Sequence, residues 1–135
     1  MELRDIIESG IWRERASQIF YLKLSKRAKG DLKLLLEYMS RDEESHEKFL
    51  TDLYKKIYNT DPPEIPMEGE MAVEGVDVKS IDELIDVGIA KERESKYYYM
   101  DLFCRLENLE DREKVVELIN FEESHLKKLL SAKEG

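Results

Sequence analysis

One cysteine, three prolines, six glycines and two histidines in 135 residues rule out several kinds of protein at once. A lone Cys104 can form neither an intramolecular disulfide nor a cysteine-based metal site. No apolar run approaches the ~20 residues of a membrane span, so no membrane role is expected. Basic residues are the minority, 22 Lys and Arg against 31 Asp and Glu, and the net charge is −9. Without a basic surplus to displace counterions from phosphates, nucleic acid is excluded as a partner. The opening residues Met1-Glu2-Leu3-Arg4-Asp5 lack the basic-then-apolar character of a secretory signal, and a cytoplasmic protein is expected. What the chain does have is 41% hydrophobic and 39% charged residues, rich in Leu, Glu and Lys. That balance suits one all-α domain over residues 1–135, a helical bundle with a solvated outer face.

The two histidines each close the same tetrapeptide, Glu43-Glu44-Ser45-His46 and Glu122-Glu123-Ser124-His125. Both therefore have a Glu three residues upstream, and on a helix that spacing puts carboxylate and imidazole on one face. A single copy would mean little in so Glu-rich a chain. The two copies, however, fall within a longer repeat. At one constant offset Gly10-Ile11 lies on Gly88-Ile89, Glu14-Arg15 on Glu92-Arg93, Ser17 on Ser95, Tyr21 on Tyr99 and Leu24 on Leu102. One further residue of offset brings the tetrapeptides into register. Each half is one helix with a lone Glu followed by one helix with Glu-x-x-His.

Local chemistry predicts the ends of these helices. The first should cover about 2–28, stopped by Gly30, and the second about 31–58, capped by Asp31 and ending before Asn59 and Pro62. Pro62, Pro63, Pro66, Gly69 and Gly75 make 59–79 a crossover loop. Ser80-Ile81-Asp82-Glu83 is a capping box that restarts helix over about 80–107, and a break near Asn108 to Asp111 precedes a last helix over about 110–132. Short turns make the helices of each half antiparallel, and a crossover of roughly 20 residues can run the length of a bundle.

The polar residues of the repeat interrupt apolar stripes. The first helix reads Leu3, Ile7, Gly10, Glu14, Ser17, Tyr21, Leu24, Ala28, and the third Ile81, Ile85, Gly88, Glu92, Ser95, Tyr99, Leu102, Leu106. The second reads Leu32, Leu36, Met39, Glu43, His46, Leu50, Leu53, Ile57, and the fourth Val115, Leu118 or Ile119, Glu122, His125, Leu129. These positions should face the core. A buried carboxylate without compensation costs several kcal/mol of hydration, and four in one layer repel each other. Two divalent cations would cancel four carboxylates, with both imidazoles neutral and ligating. Hard oxygen with imidazole nitrogen suits iron or manganese and does not exclude zinc or cobalt.

The segments Glu14-Arg-Ala-Ser-Gln-Ile-Phe-Tyr21 and Glu92-Arg-Glu-Ser-Lys-Tyr-Tyr-Tyr99, with the two Glu-x-x-His segments, resemble the rubrerythrin-like branch of the ferritin-like superfamily. The resemblance implies a ferritin-like four-helix bundle of two antiparallel hairpins joined by a long crossover between helices 2 and 3. It also implies a centre of two iron ions. Glu43 and Glu122 would bridge them, Glu14 and Glu92 would each bind one terminally, and His46 and His125 would complete one each. Tyr21 and Tyr99 are expected as hydrogen-bond donors to ligating carboxylates or as core aromatics with satisfied hydroxyls. Rubrerythrins proper carry a further Glu ligand where this chain has Ser95, and append a four-cysteine rubredoxin module that one cysteine cannot supply.

The function so implied is a di-iron oxidoreductase reducing peroxide or O₂ with electrons from a separate donor such as a rubredoxin. The alternatives are iron handling of the ferroxidase type, without steady turnover, and a scaffold whose metals are structural. Gly10 and Gly88 sit one turn before each lone Glu, where close packing or room for an oxidant would account for them. Tyr97 and Tyr98 read as flank or interface residues. Trp12, Phe20 and Tyr38, beside the stripes, suggest a buried homodimer surface.

Overall fold

A 25-residue helix, α1 (Leu3–Arg27), opens the computed structural model and is followed by α2 (Gly30–Tyr58), α3 (Ile81–Arg105) and α4 (Leu109–Glu134). Residues 1–64, 76 and 79–134 are described, the last without its side chain. Most of the expected crossover, including Pro66, Gly69 and Gly75, lies outside them.

The helix ends follow backbone chemistry with small departures from expectation. Ala28 is extended, and Gly30 has φ +60°, a region that only a residue without Cβ adopts freely. Asp31 does not cap α2. The helix takes in Gly30, so Asp31 lies inside the first turn, where its charge meets the positive end of the helix. Asn59, left-handed at φ 55°, ends α2 and donates its N–H to the Lys55 carbonyl. The capping box forms as expected: Ser80 Oγ accepts from Glu83 N at 3.1 Å while Glu83 reaches back to Ser80 N. Helix α3 stops at Arg105 rather than 107, because Leu106 turns extended and buries its side chain in the core. Asn108 Oδ1 accepts from Asp111 N at 3.1 Å and starts α4 one residue earlier than expected.

Helices α1 and α2 pack as one hairpin and α3 and α4 as the other, with α1 against α3 and α2 against α4 joining them. The core is in two parts. One end holds Phe20, Tyr21, Leu24, Leu36, Met39, Leu84, Ile85, Ile89 and Leu129. The other holds Ile6, Ile7, Ile11, Leu50, Leu53, Tyr54, Tyr99, Leu102, Val115 and Leu118. Between them runs a buried polar belt of Glu14, Ser17, Glu43, His46, Glu92, Ser95, Glu122 and His125. Apolar packing on both sides of this belt supplies the burial that holds four charged helices together.

Two readings of the stripes need correction. Phe20, expected at a surface, is core: it is 3% exposed and packs edge-to-face on Tyr21. Ile57 is exposed and Tyr54 takes the buried place, its hydroxyl donating to Glu8 at 3.0 Å. Over a long helix the 3.6-residue period drifts around the axis, so the last turn presents a neighbouring residue to the core. Trp12 and Tyr38 do remain exposed.

Candidate metal centre

Four helices contribute six acidic and imidazole side chains to one point in the belt. Glu14 comes from α1, Glu43 and His46 from α2, Glu92 from α3, and Glu122 and His125 from α4; none is more than 2% exposed. They form two overlapping groups, Glu14, Glu43, His46 and Glu122 in one, and Glu43, Glu92, Glu122 and His125 in the other. Within each group the facing ligand atoms lie within 4.8 Å of one another. Glu43 and Glu122 belong to both. His46 Nδ1 is 3.0 Å from Glu122 Oε1, 3.4 Å from Glu43 Oε1 and 3.7 Å from Glu14 Oε2. His125 Nδ1 is 3.4 Å from Glu92 Oε1 and 3.5 Å from Glu43 Oε1.

All six present buried atoms without a hydrogen-bond partner: Glu14 Oε2, Glu92 Oε2, both carboxylate oxygens of Glu43 and of Glu122, and Nδ1 of each histidine. Buried polar atoms are nearly always paired, so a convergent set of eight requires an explanation. Cations ligated by these oxygens and imidazole nitrogens would satisfy all of them, and the donor chemistry fits iron or manganese.

Electrostatics point the same way. Burial raises Glu43 well above the ordinary carboxylate range, and the charges of Glu14, Glu122 and Glu92 push it further. Burial and the neighbouring Glu92 do the same to Glu122. The two carboxylates common to both groups are thus the ones that resist ionising without a cation. Burial works to raise Glu92 as well, but the nearby imidazole of His125 and the hydroxyl of Tyr21 hold it below its ordinary value. For His125, burial pulls downward, yet Asp42, Glu92 and the charge of Glu122 prevail and lift the imidazole to about 9.

A family model described as Rubrerythrin matches residues 5–133. The chain belongs to the rubrerythrin family. Among solved structures, a Thermotoga maritima protein described as a ferritin-like diiron-carboxylate protein is 23% identical, with TM-score 0.83, covering 99% of this chain and 95% of its own. A hypothetical protein of Pyrococcus furiosus is 20% identical, with TM-score 0.81 and coverage of 99% and 89%. CopM, in a silver-bound form obtained by soaking, is 17% identical, with TM-score 0.76 and coverage of 99% and 96%. No curated protein gives a significant sequence match. These structures share the ferritin-like fold with this rubrerythrin-family chain.

The tyrosines of the rubrerythrin-type repeat act across it. Tyr21 donates to Glu92 Oε1 at 2.8 Å and also lies 3.2 Å from the Gly88 carbonyl, while Tyr99 donates to Glu14 Oε1 at 2.5 Å. Each tyrosine therefore serves the lone Glu of the opposite half rather than the one in its own helix. Packing explains the paired glycines. A Cβ at Gly88 would press on Tyr21 and Leu129, and one at Gly10 would overlap the phenol of Tyr98. Tyr98 is half-buried against α1 and donates to the Ile6 carbonyl at 2.6 Å, whereas Tyr97 is exposed.

Sequence reasoning missed Asp42. Its Oδ2 lies 2.8 Å from His125 Nε2, on the side of the ring away from the cluster. The signal was available in the repeat: the residue just before the first tetrapeptide is Asp42, and the residue just before the second is Phe121. Phe121 in turn packs against His46, ring centres 5.7 Å apart.

Proposed function

We propose that this rubrerythrin-family protein is a non-haem di-iron oxidoreductase that reduces peroxide or O₂ with electrons from a separate donor protein. The observation that carries the reading is the convergence of eight unpartnered buried ligand atoms in two groups sharing Glu43 and Glu122. In this reading Glu43 and Glu122 would be shared by two iron ions, Glu14 and His46 would complete one position, and Glu92 and His125 would complete the other. Bound iron would supply reversible one-electron chemistry at two adjacent centres, enough to pass two electrons to a peroxide, which with two protons yields two waters.

The chain's own residues set the conditions. Tyr99 and Tyr21 occupy Oε1 of Glu14 and Glu92, leaving Oε2 of each turned into the centre. Apolar clusters on both sides exclude water from the belt. Electrons for turnover would come from a separate donor protein, such as a rubredoxin. Exposed Trp12 and Tyr38 are the surface through which a homodimer would form.

One observation favours a second reading, iron handling without steady turnover. Ser95 is buried at the place of the further Glu ligand of rubrerythrins proper, and a hydroxyl is a poor substitute for that carboxylate. Anaerobic loading with Fe(II), followed by peroxide or O₂ with a reduced rubredoxin, separates the two. Steady donor oxidation supports the oxidoreductase. A single round of iron oxidation without further donor consumption supports iron handling. Fewer than two irons per chain would overturn both.

A further inference from the structure

The two halves of the centre are related by the repeat, and one of their differences is the residue that stands behind each histidine. His125 of α4 meets Asp42 of α2, with Nε2 and Oδ2 2.8 Å apart. The equivalent neighbour of His46, on α2, is Phe121 of α4, whose ring meets the imidazole at 5.7 Å and 62°. His46 makes its closest carboxylate approaches through Nδ1, at 3.0 Å to Glu122, 3.4 Å to Glu43 and 3.7 Å to Glu14. Both histidines aim Nδ1 at the cluster, so Nε2 is the outward nitrogen in each.

We propose that Asp42 is a positioning residue that makes the two metal positions unequal, so that the one completed by Glu92 and His125 fills before the one completed by Glu14 and His46. The inference rests on the dimetal reading above. Asp42 accepts the Nε2 proton of His125, which fixes the tautomer with a lone pair on Nδ1, holds the ring in the ligating orientation and makes that nitrogen a stronger donor. Its charge also adds to the attraction for a cation on that side. His46 has an apolar ring at the corresponding place, so its tautomer and orientation are left to packing. A carboxylate behind a ligating histidine commonly changes metal affinity about 10–100-fold, which sets the expected gap between the two steps. Asp42 is half-exposed, and its one side-chain hydrogen bond among the described residues is to His125, so it can be changed without opening the core.

The test is titration of the metal-free protein with Co(II), followed by isothermal calorimetry and by imidazole NMR. The chain has two histidines, so each signal reports one position. Two resolved steps are expected, with the His125 signals moving during the first equivalent and the His46 signals during the second. Asp42→Asn should weaken the first step about 10-fold or more and leave the second in place. Phe121→Asp should strengthen the second, and this gain cannot arise from misfolding. Two equivalents bound with one affinity, or His46 responding first, would overturn the inference while leaving the dimetal reading intact. Failure to bind two Co(II) per chain would overturn both.

Discussion

Tyr99 donates to Glu14 across the junction between the two hairpins, and Tyr21 returns the same bond to Glu92. The side chains that complete opposite ends of the centre are thus held by the other half of the chain. Removing either hydroxyl leaves a buried carboxylate oxygen without a partner, at about 1–3 kcal/mol. Tyr99→Phe and Tyr21→Phe are each expected to lower the stability of the metal-free protein by that amount. Each should also weaken metal binding at the position of its Glu by about 10-fold. Denaturant unfolding and Co(II) titration measure the two effects, and a variant that keeps full affinity would count against this role for its tyrosine.

Glu43 and Glu122 carry opposite consequences for stability and for binding. Glu43→Ala or Glu122→Ala should abolish two-metal binding, and normal uptake of two metals by either would end the bridging assignment. The isosteric Glu43→Gln should lose metal in the same way while raising metal-free stability by about 1 kcal/mol. It removes an acid that burial and three neighbouring carboxylates strain. Elemental analysis after dialysis, paired with thermal unfolding, checks both signs.

The pH response should reverse on loading. Against the downward pull of burial, His125 is lifted from 6.5 to about 9 by Asp42, Glu92 and Glu122. A base raised in the folded state contributes stability that is fully present below its unfolded value and lost as pH rises through the folded one. The metal-free protein should lose up to about 3 kcal/mol between pH 6.5 and 9. Raised Glu43 and Glu122 act in the same direction. Metal needs the same imidazole deprotonated, so the stabilisation by Zn(II) should grow over that interval. Unfolding series with and without Zn(II) will show whether the two trends diverge; parallel curves would contradict the linkage.

Much of this was legible before any coordinates. The six clustered residues stood out because a repeat placed each polar group where an apolar one belonged, and a helical period carries that information directly. Helix ends were readable to within two residues wherever a cap or a Gly marked them. Relative rotation of the helices was not readable. It decides that Tyr54 rather than Ile57 turns inward, that Phe20 is core, and that Tyr21 and Tyr99 reach across the halves. Asp42 escaped notice for the same reason: it lies off the stripe of its own helix and matters only to a histidine on another.

Gly10 offers a separate check on the packing. Alanine ordinarily gains about 1 kcal/mol over glycine within a helix. Here its methyl group would displace the Tyr98 phenol and break the bond to the Ile6 carbonyl. Gly10→Ala should therefore destabilise by about 1–3 kcal/mol, read from the denaturant midpoint. A stabilised variant would show that Tyr98 can move aside freely.

The division of the centre between the hairpins has one more consequence. The first donor group takes three residues from the first hairpin and one from the second, and the other group reverses the count. Two separate, identical hairpins paired about a two-fold axis could assemble the same six residues, but the axis would force whatever stands behind one histidine to stand behind the other. A continuous chain is under no such rule. Joining the halves covalently lets a single substitution touch one metal position alone, so the pair Asp42 and Phe121 is a difference that a symmetric ancestor of this design could not have held.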